Sequence, residues 1–245
     1  MEFLITIFNE ALYRPLLNIL FLFYQYLPGQ DLGIAVIALT VLIKFLFYPL
    51  GTKALKSQKA LSELQPKIKE IQEKYKEDRE KQTKAMMELY KEKKINPFSG
   101  CLPILIQLPI LIALYRVFWK GLQLKEQIHL YSFVPQISQI DPTFLGIVNL
   151  TQPNIILAVL AGVSQYFQLK TAPKTPKSKS KNPDISQMMT KQMTYLFPIF
   201  AIFICLKLPS AIALYWVVFT IFSIIQQYFI LRPQTKTSSG AGQGS

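Results

Sequence analysis

The chain has 245 residues, of which 51% are hydrophobic, and its formal net charge is +13. This composition disfavours a soluble nucleic-acid-binding protein, because such proteins rarely contain several apolar runs long enough to cross a bilayer. A polytopic membrane protein combines both properties, since its Lys and Arg residues collect in cytoplasmic loops. The two cysteines, Cys101 and Cys205, lie far apart in apolar segments and form no metal or redox spacing, so we interpret them as small buried hydrophobic residues.

Residues 1–30 are predicted to form an extracytoplasmic amphipathic helix at the membrane interface, followed by a turn. One side carries polar residues at near-helical spacing and the other sides are apolar, which is typical of an interfacial helix. A spanning helix over residues 16–27 is the alternative, and it would be shorter than the roughly 20 residues that a bilayer requires. Pro15 is expected to break the helix into two pieces, and Pro28-Gly29-Gln30-Asp31 indicates the turn. The polar stripe consists of Thr6, Glu10, Arg14, Asn18 and Gln25.

Residues 31–51 form the first predicted transmembrane helix, and this apolar stretch contains one ammonium group, that of Lys44. A lysine at the centre of a membrane helix costs about +2.5 to +3.5 kcal/mol on insertion scales, which makes it a candidate for a functional role. Snorkelling towards the interface is the alternative. If the helix ends near Lys53, however, Lys44 lies about 13 Å inside at about 1.5 Å per residue. A lysine stem covers only part of that distance, so the position favours a functional role.

Residues 52–98 are predicted to form a cytoplasmic helical hairpin. Between residues 52 and 96 the chain holds 13 Lys or Arg and 8 Asp or Glu residues. Apolar residues spaced by three and four predict a coiled-coil-like seam, which the alternative, a solvated charged linker, would not have. The polar run 76–82 predicts the turn, and Pro66 is expected to separate the hairpin from the end of the first span. The two apolar stripes are Leu61, Leu64, Ile68, Ile71 and Tyr75, then Met86, Leu89 and Tyr90.

Residues 99–232 are predicted to contain four further transmembrane helices. An extracytoplasmic loop at 121–153 and a basic cytoplasmic loop at 171–188 connect them, and residues 233–245 form a polar, disordered cytoplasmic tail. The predicted helices span residues 101–120, 154–170, 189–208 and 211–231.

The distribution of basic residues predicts an N-terminus outside and a C-terminus in the cytoplasm. Residues 52–96, 170–191 and 232–245 carry 13, 6 and 2 Lys or Arg residues. Residues 1–30 carry only Arg14, and residues 121–153 carry only Lys125. With five spans, the positive-inside rule then gives one consistent orientation. The N-terminus has neither the basic region nor the cleavage site of a secretory signal, which favours a bacterial chain that is inserted without processing.

Motifs along residues 1 to about 232 resemble, in their order, those of one membrane protein family. They are Ile43-Lys44-Phe45-Leu46-Phe47-Tyr48-Pro49-Leu50, Leu64-Gln65-Pro66-Lys67-Ile68, Glu88-Leu89-Tyr90-Lys91 with Asn96-Pro97, Gly100-Cys101-Leu102-Pro103 through Leu105-Ile106-Gln107-Leu108-Pro109 to Ala113-Leu114-Tyr115, Leu208-Pro209-Ser210 to Leu214-Tyr215-Trp216, and Ile225-Gln226-Gln227. On these motifs the chain resembles the YidC-type membrane protein insertases of the Oxa superfamily, in a short form without the large periplasmic domain of some members.

The resemblance implies an all-α fold of five transmembrane helices with an N-terminal interfacial helix and a cytoplasmic helical hairpin. It also implies a hydrophilic groove that opens to the cytoplasm and sideways to lipid. The family usually has arginine at the position of Lys44, and lysine keeps the charge but loses the planar fork for bidentate carboxylate binding. For Arg116, snorkelling to the outer interface is the alternative to a place in the groove. The expected groove residues are Lys44, Gln107, Tyr115, Arg116, Gln165, Gln168 and Trp216.

The implied function is insertion of nascent transmembrane helices into the bacterial inner membrane, with chaperone activity and without cofactor or enzymatic chemistry. The sequence offers no nucleotide-binding loop, Ser/His/Asp set or metal spacing. The expected partners are nascent membrane proteins and lipids, with the ribosome and the Sec translocon as further candidates, and no specific nucleic-acid sequence is expected to bind. A small channel or transporter that uses the same polar residues is the alternative, although no inverted repeat is visible.

Overall fold

The computed structural model describes residues 2–96, 102–121, 130–135, 137, 140–173 and 185–232. These residues are mostly helical, which confirms the predicted all-α class in outline, with one short β-hairpin added. Thr143 pairs with Asn149 and Phe144 with Val148 in that antiparallel hairpin. The elements are α1 (Glu2–Phe8), a π-helical turn (Asn9–Tyr13), α2 (Arg14–Tyr26), a 3₁₀ turn (Pro28–Gln30), α3 (Leu32–Leu46), α4 (Tyr48–Lys74), α5 (Arg79–Glu92), α6 (Leu102–Arg116), a second π-helical turn (Val117–Gly121), β1 (Thr143–Phe144), β2 (Val148–Asn149), α7 (Ile155–Thr171), α8 (Ile185–Cys205) and α9 (Ser210–Leu231).

The N-terminal helix is continuous through Pro15, so the predicted break at this proline is wrong. The backbone stays in the right-handed helical region from α1 through the π-helical turn into α2, and Pro15 lies in the first turn of α2. A π-helical turn adds a residue to the helix and changes the hydrogen-bond register, which accommodates a residue that has no N–H. The turn predicted at Pro28-Gly29-Gln30-Asp31 is present, and Gly29 adopts a φ of 83° there.

The polar stripe of the N-terminal segment is partly covered by protein. The Asn18 side chain is 1% exposed, and its Oδ1 accepts a hydrogen bond of 2.6 Å from the backbone N–H of Tyr131. The guanidinium carbon of Arg14 lies 4.8 Å from the centre of the Tyr131 ring. Four apolar residues of α1 are exposed (Phe3, Leu4, Ile5 and Ile7), whereas Leu17 and Leu20 of α2 are fully buried in the main core. The segment thus has an exposed apolar first part and a second part packed into the bundle.

The first predicted span, residues 31–51, is not one straight helix. α3 ends at Leu46, α4 begins at Tyr48, and the two helices are bent by 62°. Pro49 has no N–H to donate to the carbonyl of Phe45, so the helical hydrogen-bond ladder is interrupted at this point. Residues 48–51 therefore form the first turn of α4, the helix that continues into the hairpin.

Helix length supports fewer membrane crossings than the sequence predicts. Within the described ranges, α9 is the one helix that is long and apolar enough to cross a membrane by itself. The bent pair α3 and α4 passes the same test only when taken together, and α7 and the segment Gln192–Cys205 are apolar but shorter. Five spanning helices are thus not established by length and composition.

The hairpin helices α4 and α5 pack along the predicted seam. Leu64, Ile68 and Leu89 are buried together, and Ile71, Met86, Tyr90 and Ile95 pack against them. The Asp78 carboxylate accepts a hydrogen bond of 3.0 Å from the backbone N–H of Lys81 and caps α5. This interaction and the Lys81 ammonium hold the pKa of Asp78 below its ordinary value.

Pro66 does not separate the hairpin from the span, contrary to the prediction, because α4 continues through it. The proline is exposed, whereas Leu64 and Ile68 on either side are buried in the seam. A proline inside a helix costs about 3 kcal/mol or more. Packing of its neighbours in the seam offsets this cost.

α9 lies at the centre of the bundle and packs against α3, α4, α7 and α8. At the end of the bundle opposite the hairpin, Asp31 caps α3 and also accepts a hydrogen bond from the N–H of Leu145. Phe144 packs so closely on Gly33 that a β-carbon there would overlap its ring. Several predicted features lie outside the described residues: Pro97, Cys101, Lys125, most of the basic loop at 171–188, and the tail 233–245.

Candidate functional site

Lys44 lies in the last turn of α3 and points into the bundle. Its side chain is 9% exposed, and its Nζ donates a hydrogen bond of 2.6 Å to the Oγ of Ser223 on α9. The same nitrogen lies 3.6 Å from the centre of the Phe219 ring and 5.7 Å from that of Phe222. Among the described residues, no carboxylate forms an ion pair with Lys44. The ammonium group therefore has only neutral partners in the part of the chain that the structure describes.

A cavity of about 80 Å³ adjoins Lys44 at the junction of α3, α4, α6 and α9. This volume is large enough to hold water. Its polar lining comes from the side chains of Lys44, Gln107 and Gln226, and apolar side chains form most of the remainder. The site is a small, partly polar recess in an otherwise apolar bundle.

Two glutamines fix helices around this recess. Gln107 of α6 donates through Nε2 to the hydroxyl of Tyr215 on α9. Gln226 of α9 donates through Nε2 to the carbonyl of Tyr48 at 3.2 Å and lies 3.3 Å from the hydroxyl of Thr52. These contacts hold α6 and the first turn of α4 against the same side of α9 that carries Ser223.

A second polar cluster lies on the side of α9 that faces α7. The Nε1 of Trp216 donates to the Oε1 of Gln165 at 2.8 Å, and the Nε2 of Gln165 donates to the Oε1 of Gln168 at 3.0 Å. Two further hydrogen bonds join the helices, from Thr220 to Ser164 at 2.7 Å and from Thr171 to Gln227 at 2.7 Å. This side of α9 forms a ladder of neutral hydrogen bonds with α7.

The seven expected groove residues therefore fall into three places. Lys44 and Gln107 adjoin the recess, whereas Gln165, Gln168 and Trp216 form the ladder with α7. Tyr115 stacks on Trp119 with ring centres 5.7 Å apart. The last two residues, Tyr115 and Arg116, belong to the end of α6 that is remote from Gln107.

Arg116 contacts the N-terminal segment and not Lys44. Its Nη1 donates to the Oδ1 of Asn9 at 2.8 Å. Its guanidinium carbon lies 5.0 Å from the ring centre of Tyr13 and 5.6 Å from that of Phe8. Nine residues of helix, about 13 Å at about 1.5 Å per residue, separate it from Gln107.

Phe219 and Ser223, the residues in closest contact with Lys44, are not among the seven residues predicted from the sequence. The spacing along α9 could have indicated Phe219 and Ser223, because four residues at intervals of four, four and three share one helix face. These residues are Tyr215, Phe219, Ser223 and Gln226. A hydroxyl and an amide on one stripe of an apolar helix indicate a polar partner opposite. Which helix supplies that partner is visible only in the packed structure.

Comparison with known proteins gives a consistent result. The family model described as 60Kd inner membrane protein matches residues 22–238. Proteins named membrane protein insertase YidC are similar over most of the chain: one from Magnetococcus marinus is 36% identical over 219 residues, covering 89% of this chain and 35% of that protein. One from Francisella philomiragia is 38% identical over 200 residues, and one from Francisella tularensis subsp. novicida is 40% identical over 200 residues, each covering 82% of this chain and 32% of that protein.

The chain spans about a third of the length of these relatives. The family match covers far more than half of the chain, and it agrees with the motifs from Lys44 to Gln227. The chain therefore belongs to the 60Kd inner membrane protein family, the family of the YidC-type proteins that its motifs resemble.

Proposed function

We propose that this protein inserts nascent transmembrane helices into the bacterial inner membrane and that Lys44 contacts the client. The observation that carries the proposal is a buried ammonium group that adjoins a recess and has only neutral partners among the described residues. The names of the relatives, membrane protein insertase YidC, support the same function. A cation in such a place attracts a carboxylate, because opposite charges interact strongly where little water is present.

In the proposed mechanism, the recess receives the hydrophilic segment that flanks a client transmembrane helix. Lys44 binds an acidic residue of that segment, and Gln107 and Gln226 provide neutral hydrogen-bonding groups beside it. The apolar client helix then moves into lipid, driven by the burial of its apolar surface, and no covalent bond is made or broken. The first half of α6 contributes Ile106 and Gln107 to the recess, so a displacement of this half would widen it.

We further propose a multi-pass topology with the N-terminus outside and the C-terminus in the cytoplasm. The basic residues of the hairpin support this orientation through the positive-inside rule. The bend between α3 and α4 places the hairpin at the end of the bundle next to the recess. There, its excess of basic residues suits contact with ribosome, nascent chain or anionic lipid, and the Sec translocon is a further candidate partner.

Insertion into reconstituted vesicles tests the proposal. Lys44→Ala is compared with Lys44→Arg, using a single-span client whose translocated tail carries an aspartate and a version with asparagine in its place. We expect the alanine variant to insert the acidic client poorly and the arginine variant to retain insertion. Normal insertion of the acidic client by Lys44→Ala would contradict the role of Lys44. Ion flux through vesicles without any client would favour the channel alternative.

A further inference from the structure

The ammonium group of Lys44 is already occupied by groups of its own chain. The Ser223 hydroxyl accepts a hydrogen bond from it at 2.6 Å and donates one to the backbone carbonyl of Phe219 at 2.7 Å. The face of the Phe219 ring covers the ammonium at 3.6 Å, well within the range of a cation–π contact. Both groups belong to α9, and both would have to move before another polar group could reach the Lys44 ammonium from that side.

We propose that Phe219 is a specificity-determining residue, whose ring closes over Lys44 in the resting protein and is displaced only by a client carboxylate. The inference rests on the proposed function, because it assumes that Lys44 receives the client. In this proposal, the Phe219 ring determines whether an acidic or a neutral polar segment of the client can bind to Lys44.

The relative strength of the competing contacts supports this selection. An ammonium and a carboxylate attract each other as two full opposite charges, and this attraction is much stronger where little water is present than in bulk water. A client amide offers the ammonium only a neutral acceptor, which Ser223 already provides. Binding of this amide would break the contact between the ammonium and the Phe219 ring without a compensating gain. A carboxylate adds a charge that neither Phe219 nor Ser223 has. The ring therefore opposes both ligands equally, but only the carboxylate compensates for its displacement.

The position of Phe219 allows this displacement. The ring is half-buried and lines the recess, so the space next to it is available for a change of side-chain rotamer. Its aromatic neighbour is Tyr215 on the same helix, with ring centres 5.7 Å apart. Phe222, by contrast, packs edge-on against Phe45 of α3 at 5.4 Å and is farther from the ammonium. Phe222 is thus a ring of the same size on the same helix without the proposed role.

The experiment measures direct contact between Lys44 and a client carboxylate in vesicles that contain the whole 245-residue chain. A carbodiimide condenses the tail aspartate of a stalled single-span client with a nearby lysine, and mass spectrometry quantifies the amide bond formed at Lys44. We expect Phe219→Leu to raise this yield two- to fivefold and Ser223→Ala to raise it less. Phe219→Tyr, which keeps the ring, and Phe222→Leu, the matched control, should leave it within experimental error.

Three outcomes overturn the proposal in distinguishable ways. If Lys44 is crosslinked equally in the wild type, Phe219→Leu and Ser223→Ala, the ring does not restrict access and only this inference fails. If Lys44 is never crosslinked although the acidic client is inserted, the proposed client contact fails as well. A yield that rises equally for Phe222→Leu and Phe219→Leu would show general loosening of α9, which also contradicts a specific role for Phe219.

Discussion

The two sides of α9 use polar residues in different ways. Towards α7, hydroxyls, amides and an indole N–H pair with one another in neutral hydrogen bonds, as between Trp216 and Gln165. Towards α3, one full charge, that of Lys44, is bound by a hydroxyl and an aromatic ring. A neutral ladder is satisfied within the protein, whereas a buried cation with neutral partners still gains from a carboxylate. Under the proposed function, the α7 side maintains the bundle and the α3 side acts on the client.

The largest expected effect is on the α3 side. Lys44→Ala should reduce insertion of a client with an acidic translocated tail about tenfold or more, since a hydrogen bond to a charged group contributes about 1.5–3 kcal/mol. Insertion of the same client with asparagine should change much less. The ratio of the two insertion rates in vesicles is the measurement. A Lys44→Ala variant that inserts both clients equally well would contradict the functional distinction between the two sides of α9.

On the α7 side, the expected effect is on stability. Gly162 of α7 lies so close to α8 that an added β-carbon would overlap Ile202 and come within 2.9 Å of the carbonyl of Pro198. Gly162→Ala should therefore destabilise the bundle by about 1–3 kcal/mol, as expected for overpacking. Thermal unfolding in detergent measures this change, and the added substitution Ile202→Ala should recover part of it. Preference for the acidic client should be unchanged.

A smaller loss of stability is expected when the ladder loses one amide. In Gln165→Leu the indole N–H of Trp216 and the amide of Gln168 lose their partner. Hydrogen bonds between membrane helices contribute about 0.6 kcal/mol on average, so a loss of this order is expected. The melting temperature should fall while the ratio of acidic to neutral client insertion stays constant. A changed ratio would assign Gln165 to the client site after all.

The smallest effect is expected at the hairpin, outside both sides of α9. The N–H of Lys81 holds the folded-state pKa of Asp78 below its ordinary value, so this contact contributes stability at neutral pH and loses it as the pH falls below about 4. Asp78→Asn keeps a capping oxygen but does not titrate. The wild type should therefore lose slightly more thermal stability than this variant between pH 6 and pH 3. An identical loss in both proteins would contradict the assignment.

Much of the architecture follows from local sequence patterns. The apolar spacing of the hairpin predicts its seam, because Leu64, Ile68 and Leu89 can be buried only by packing on each other. The prolines predict the ends of helices less well. Pro15 and Pro66 are accommodated within helices, whereas Pro49 lies at the bend of 62° between α3 and α4. Whether a proline breaks a helix depends on the packing of its neighbours, which the local sequence does not contain.

The sequence alone determined that Lys44 is an ammonium group within an apolar segment and therefore requires a polar environment. Only the tertiary structure decided which environment it has, because its neighbours Ser223 and Phe219 lie on α9. Ser223 is 179 residues further along the chain than Lys44. The same packing separates Lys44 and Gln107 from the glutamines of α7, although all of them look alike as polar residues in apolar helices. A helix has several faces, and the partner of each face is fixed by tertiary packing.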